Sequence, residues 1–252
     1  MRYFLKIAYD GTNFHGWQRQ PNASSIQETI EDALSLILQR RVEIVGAGRT
    51  DTGVHARELY AHFNTDIIED PSRFLNSLNR LIGKEIAVSK LLPVKPEAHA
   101  RFDAISRSYE YFVHFDKNPF DYRFSHRMHR TPDVSLMNDA AEILLTTEDF
   151  TSFAKLHSDN KTNICKVTNA HWSFETGNRQ LVFRISADRF LRNMVRAIVG
   201  TLLEVGTGKI SIEDFKDIIS EKNRCSAGIS MPANGLFLSR VVYPKEIFLD
   251  LI

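Results

Sequence analysis

Gly46-Ala47-Gly48-Arg49-Thr50-Asp51-Thr52-Gly53-Val54-His55-Ala56 is a small-residue loop carrying one carboxylate. Apolar runs flank it. Val42 to Val45 reads as a short strand entering it, and Leu59 to Phe63 as a strand leaving it. Glycines on both sides of Asp51 suit a backbone that turns tightly or comes close to a ligand. Arg49 sets a planar donor fork two residues from the carboxylate. Asp51 in such a loop is a candidate nucleophile, although the Asp-x-Gly pattern taken alone is more often an ordinary Asx turn.

Working outward, strand and helix patterns alternate. Tyr3 to Tyr9 reads as a strand, and Asp10-Gly11 opens a polar, aromatic loop through Trp17 to Pro21. Ser25 with Glu28 three positions on is a capping box for a helix whose apolar stripe is Ile26, Ile30, Ala33, Leu34 and Ile37. Pro71-Ser72 opens a second helix, and Ile86 to Leu92 follows as a strand. Ser106 to Phe115 is an aromatic strand. Pro132-Asp133 introduces a helix with Leu136, Ala140, Ile143 and Leu144 on one face. Val167 to Phe174 and Leu181 to Ile185 flank Gly177-Asn178 as a hairpin does. Helices over 191–204 and 211–221 and a strand over 236–243 close the chain. Strands interleaved with helices in both halves predict two α+β domains, residues 1–104 and 105–252.

Across the 252 residues, 32 Lys and Arg stand against 31 Asp and Glu, so a polyanion partner has to be held by a local patch. Two cysteines, Cys165 and Cys225, with no C-x-x-C, give neither a disulfide framework nor a thiolate zinc site. No apolar run approaches the length of a membrane span, and the chain reads as soluble and cytosolic. His126-x-x-His129 lacks a nearby third metal ligand and sits among arginines that repel a cation, so no metal is expected.

The glycine-rich stretch lacks the third glycine of a dinucleotide fingerprint and the Gly-Lys-Ser/Thr of a P-loop. Asp51-Thr52-Gly53 also matches the aspartic-protease tripeptide. That chemistry needs two carboxylates sharing a proton, and no second Asp-Thr-Gly or Asp-Ser-Gly is present. Tyr109 and Tyr111 share a face of their strand opposite Phe112, placing them either along a cleft or in a core. On an ideal helix Arg189, Arg192 and Arg196 form a row beside Leu191, Val195, Ile198 and Leu202, either a binding face or a solvated one. Arg101, Arg107, Arg123, Arg127 and Arg130, mixed with Phe and Tyr, suit structured RNA as well as ordinary surface.

The run from Gly48 to Ala56 resembles the catalytic motif of the TruA family of tRNA pseudouridine synthases. Collinear matches accompany it: Tyr9-Asp10-Gly11, Gly16-Trp17-Gln18-Arg19-Gln20, His99-Ala100-Arg101-Phe102, Tyr109-Glu110-Tyr111, Met194-Val195-Arg196 and Ile198-Val199-Gly200. The resemblance implies a pseudouridine synthase fold of two related α+β domains, mainly antiparallel sheets and a cleft between them. It implies isomerisation of uridine to pseudouridine at tRNA positions 38, 39 and 40, without a cofactor, by a cytoplasmic homodimer. Asp51 corresponds to the catalytic carboxylate, Tyr109 to the active-site tyrosine that stacks on the base, and Arg49 to the residue that stabilises the flipped uridine. Arg196 is the candidate partner of Asp51, and Arg189, Arg192 and Arg101 are candidate RNA contacts. A catalytically silent RNA-binding protein on the same fold and an aspartic hydrolase are the alternatives.

Overall fold

A strand that is apolar at both odd and even positions has to be covered on both faces, and Phe4, Leu5 and Ile7 of β1 (Arg2–Tyr9) are buried in this way. In the computed structural model, which describes residues 1–156, 161–175 and 180–249, β1 runs antiparallel between β3 (His55–Asn64) and β4 (Ile86–Val94). Phe4 stands opposite His62 on one side and Leu92 on the other. The register slips between Ile7 and Tyr9 against β3, so the strand is irregular where it enters the loop after Tyr9. β2 is shorter than the sequence predicts, only Val45–Gly46, and it pairs with β3.

The chain divides into two compact units: Met1–Ile105 together with the chain from Leu238 on, and Ser106–Phe237. The C-terminal segment joins the first unit because β9 (Leu236–Val242) neighbours β3, and the Glu58 carboxylate accepts from Val241 N–H at 3.1 Å.

In the first unit, α1 (Ile26–Leu38) starts at Ser25, whose hydroxyl accepts from Glu28 N–H at 3.3 Å. The Glu28 carboxylate lies with Arg19 at 3.3 Å. Ile26, Ile30, Ala33 and Leu34 are buried as the stripe predicts, but so is Glu31. Its carboxylate accepts from Ile44 N–H at 3.0 Å, the Gln27 amide at 2.9 Å and Arg19 at 3.2 Å, so the buried charge is satisfied and ties α1 to the segment before β2. α2 (Pro71–Leu81) packs on β4. Asn79 there accepts from Val88 N–H and donates to Val88 O, both at 2.8 Å.

In the second unit β5 (Ser106–His114) and β7 (Val167–Phe174) flank β8 (Gln180–Ala187), all antiparallel, and β6 (His126–Arg127) runs parallel to β5. Gly177-Asn178, the expected hairpin tip, lies outside the described residues. α3 (Val134–Ile143) packs on β7 and on α4 (Met194–Gly206), and α5 (Ile212–Glu221) contacts both helices. The face of α3 differs from the sequence reading. Met137, Ala140 and Ala141 are buried, while Leu136 is 40% exposed. Met137 sits where Gly206 leaves room; a Cβ at Gly206 would lie 2.4 Å from its sulfur. Asn138 repeats the device of Asn79, accepting from Trp172 N–H at 2.8 Å and donating to Trp172 O at 3.0 Å.

His62 is buried in β3, and its Nδ1 accepts from Ala100 N–H at 3.1 Å, a bond that requires the neutral ring. Burial lowers its pKa to about 4, and the Arg2 charge adds to the effect. The unfolded chain therefore binds the extra proton first as pH falls, so stability is full above about 6.5 and declines towards pH 4, by up to roughly 3 kcal/mol. Denaturant midpoints at pH 7 and pH 4.5 should show a smaller difference in His62→Gln, whose amide oxygen can still accept from Ala100. An unchanged difference would assign the acid sensitivity to other groups.

Candidate active site

Asp51 sits half-buried in the loop between β2 and β3, with Arg49 and Thr52 exposed and Thr50 buried. A second loop, following β1, holds this one. Thr50 Oγ1 pairs with the buried Tyr9 hydroxyl at 2.8 Å, and Thr50 O accepts from Trp17 N–H at 3.2 Å. Gly53, at φ 77°, donates its N–H to Phe14 O at 3.2 Å, and Val54 N–H closes the turn onto Asp51 O at 3.1 Å. Two contacts are too close for any side chain. A Cβ at Gly11 would lie 2.0 Å from Val54 O, and one at Gly16 would lie 2.3 Å from Thr50 O.

His55 is fully buried at the start of β3, and its Nδ1 accepts from Gly11 N–H at 3.0 Å. Asp10 Oδ1 lies 3.2 Å from the same nitrogen, which would suit a charged ring. That oxygen already accepts from Thr12 N–H at 3.0 Å and Thr12 Oγ1 at 2.6 Å, so the acceptor assignment for Nδ1 stands. His55 thus braces the loop. Backbone hydrogen bonds, two glycine approaches and a buried Tyr–Thr pair fix the main chain on both sides of Asp51.

The second unit carries the other candidates. Tyr109 in β5 is half-buried, with its ring edge-on to Phe190 at 5.0 Å and 85°. Tyr111, on the same strand face, is wholly buried, and its hydroxyl donates to Pro232 O at 3.0 Å. Burial raises the Tyr111 pKa and the nearby Arg196 charge opposes that rise. Only the Tyr109 end of the face is open; the Tyr111 end is core. Arg196 Nε donates to Met231 O at 2.5 Å, and Met231 N–H donates back to Arg196 O at 3.1 Å. Tyr111 and Arg196 therefore meet adjacent residues of one segment.

That segment, residues 223–232, is bound across α4. Gly228 N–H donates to Thr201 Oγ1 at 3.0 Å, Arg224 donates to Ala227 O, Gly228 O and Ser230 Oγ, and Asn193 bonds Ser230. Gly200 makes the approach possible, since a Cβ there would lie 1.9 Å from Ile229 O.

The helical row of arginines is corrected by the structure. α4 begins at Met194, after Asn193 at φ 68°, so Arg189 and Arg192 precede the helix and Arg196 alone belongs to it. The left-handed residue breaks the helical path. Arg189 and Arg192 flank the Phe190 that meets Tyr109, so sequence proximity, not helical spacing, places them near that ring. Arg101 is exposed, with its guanidinium 5.6 Å from the Phe102 ring centre. Among the described residues no group of three or more His, Cys, Asp or Glu is arranged to hold a metal ion, His126 and His129 included. Sequence reading missed Phe190 and the segment to Met231. Their signal was present in the apolar residue beside Arg189 and in the glycines at 200 and 228.

A sequence model described as tRNA pseudouridine synthase matches residues 6–103 and 140–244. Curated relatives named tRNA pseudouridine synthase A include one from Bacteroides fragilis, 54% identical over 98% of this chain and 98% of its own length. One from Bacteroides thetaiotaomicron is 53% identical, covering 98% of this chain and 92% of its own. One from Porphyromonas gingivalis is 51% identical, covering 98% and 99%.

Gly200→Ala sets two effects against each other. Alanine in a helix interior gains up to about 1 kcal/mol, whereas a methyl driven into a main-chain carbonyl costs about 1–3 kcal/mol. The clash should win. The urea midpoint should fall with an unchanged slope, and a stabilised variant would show that the segment at Ile229 yields freely.

Proposed function

This chain belongs to the tRNA pseudouridine synthase family, and on that premise we propose that it isomerises uridine to pseudouridine in tRNA with Asp51 as its catalytic carboxylate. The observation that carries the assignment is the Asp51 loop. Its backbone is fixed by contacts that tolerate no side chain at Gly11 or Gly16, while the carboxylate itself stays half-buried in an Arg49-bearing turn.

The reaction breaks the N1–C1′ glycosidic bond, turns the base and forms a C5–C1′ bond. The hydrogen leaves C5 and N1 gains one, so the isomerisation balances without a redox partner or co-reactant. In this reading Asp51 acts as the nucleophile, and Tyr109, oriented by Phe190, stacks on the extruded base. Arg196, held at Met231, is the cationic partner we assign to the catalytic carboxylate. Arg49 stabilises the flipped state, since a uridine in a stem cannot be reached while stacked. The substrate positions proposed are 38, 39 and 40 of the anticodon stem-loop, and the working form is a cytoplasmic homodimer. Arg101, Arg189 and Arg192 serve as phosphate contacts. We propose residues 1–104, which carry the Asp51 loop, and 105–252 as the two functional domains, although the chain from Leu238 on belongs to the first compact unit. Among the described residues no helix is long and apolar enough to cross a membrane.

Asp51→Asn preserves size and removes the nucleophile. It should reduce pseudouridine formation by roughly a thousand-fold or more while tRNA affinity changes by less than about threefold. Substantial product from the purified variant would sink the assignment. No product from the unaltered enzyme on unmodified tRNA would favour the silent RNA-binding alternative. Incubation with EDTA should leave the single-turnover rate unchanged on prefolded tRNA, and a loss restored by a divalent ion would require a metal in the mechanism.

A further inference from the structure

Residues 98–103 form a turn pinned from several directions. Arg2 donates to Ala98 O at 2.9 Å, His62 accepts from Ala100 N–H at 3.1 Å, and the Tyr243 hydroxyl donates to Ala100 O at 2.5 Å. The Asp103 carboxylate accepts from His99 N–H at 2.8 Å, and Asp103 N–H returns to His99 O at 3.1 Å. At the outer end His99 Nδ1 lies within bonding distance of two backbone donors, Arg101 N–H at 3.1 Å and Phe102 N–H at 3.3 Å.

The rings of this region form a ladder from the core to the surface. Phe4 meets His62 at 6.1 Å and 27°, His62 meets His99 at 4.7 Å and 65°, and His99 meets Phe102 at 4.3 Å and 33°. Phe4 is wholly buried, yet Phe102 is 74% exposed, with the Arg101 guanidinium 5.6 Å from its centre. A single exposed apolar residue is ordinary on a protein surface. This one is unusual in that a turn with its main chain bonded at all six residues from 98 to 103 holds the ring outward. Its backing is a histidine, and a cation stands beside it.

We propose that Phe102 is a stacking platform for an unpaired base of the RNA substrate, with Arg101 meeting the adjoining phosphate. The proposal rests on the functional reading above and adds a base contact to it. A flat apolar face tolerates any base, and a ring already fixed loses little freedom on stacking. The neighbouring guanidinium supplies the charge complement that a polyanion requires, and that an apolar protein partner does not.

The test uses unmodified tRNA and an Asp51→Asn background, so that turnover does not alter the ligand. Phe102→Leu should weaken binding roughly five- to a hundred-fold, with the salt dependence unchanged because no phosphate contact is lost. Arg101→Gln should lower the slope of log affinity against log salt by about 0.7–0.9. Phe102→Trp should bind like the parent. Its emission is separable because Trp17 and Trp172 are 3% and 1% exposed, and tRNA should quench it. Unaltered affinity in Phe102→Leu, unquenched emission with tRNA bound, or a change in oligomeric state in place of affinity would overturn the proposal. Pseudouridine formation by the unaltered enzyme is measured in parallel. Its absence would remove the functional reading, whereas a normal yield with unaltered Phe102→Leu binding would remove the platform alone.

Discussion

Two main chains meeting without side chains between them is the constraint on which the Asp51 loop depends. At Gly11 the backbone approaches Val54 O, and at Gly16 it approaches Thr50 O, each closer than a Cβ permits. Once the chains are that near, short polar links become available. Tyr9 reaches Thr50, His55 accepts from Gly11, and Gly53 and Trp17 exchange backbone bonds with the facing loop. A loop carrying a carboxylate has to hold its position while the side chain stays accessible. Backbone contacts hold the main chain on both sides of Asp51.

The second unit solves its positioning problem with the same physics. Gly200 and Gly228 let residues 228–231 lie against α4, and the approach is then closed by Thr201, Asn193 and Arg224. Arg196 gains a fixed direction because Met231 O meets its Nε. A guanidinium on an unbraced arginine samples many rotamers, and ordering it costs free energy. Each unit also anchors a helix to a strand through one asparagine that satisfies both backbone groups of a single residue, Val88 for Asn79 and Trp172 for Asn138.

Buried polar groups carry much of what apolar periodicity leaves out. Glu31 lies on the same side of α1 as the apolar stripe and satisfies three donors, two of which, Ile44 N–H and Arg19, belong to other segments. His62 stays neutral in β3 and serves as an acceptor for the 98–103 turn. Neither has a local pattern that announces it, because a carboxylate or imidazole is tolerated inside only by partners distant in sequence.

What the sequence by itself determined is the set of local elements and the identity of the loop. The apolar strand run from Tyr3 to Tyr9, the Ser25 cap and the Asp133 cap are consequences of neighbouring residues, and they appear where those residues stand. The Gly48–Ala56 run with its collinear partners fixed the family. Tertiary structure alone decided the rest. It joined the C-terminal strand to the first unit, turned Met137 inward in place of Leu136, and stopped α4 short of Arg189 and Arg192 at a left-handed Asn193. Each outcome depends on a contact made across tens of residues or on one backbone angle. Helical and strand periods register neither, because they describe only which side chains share a face once the element and its limits are known.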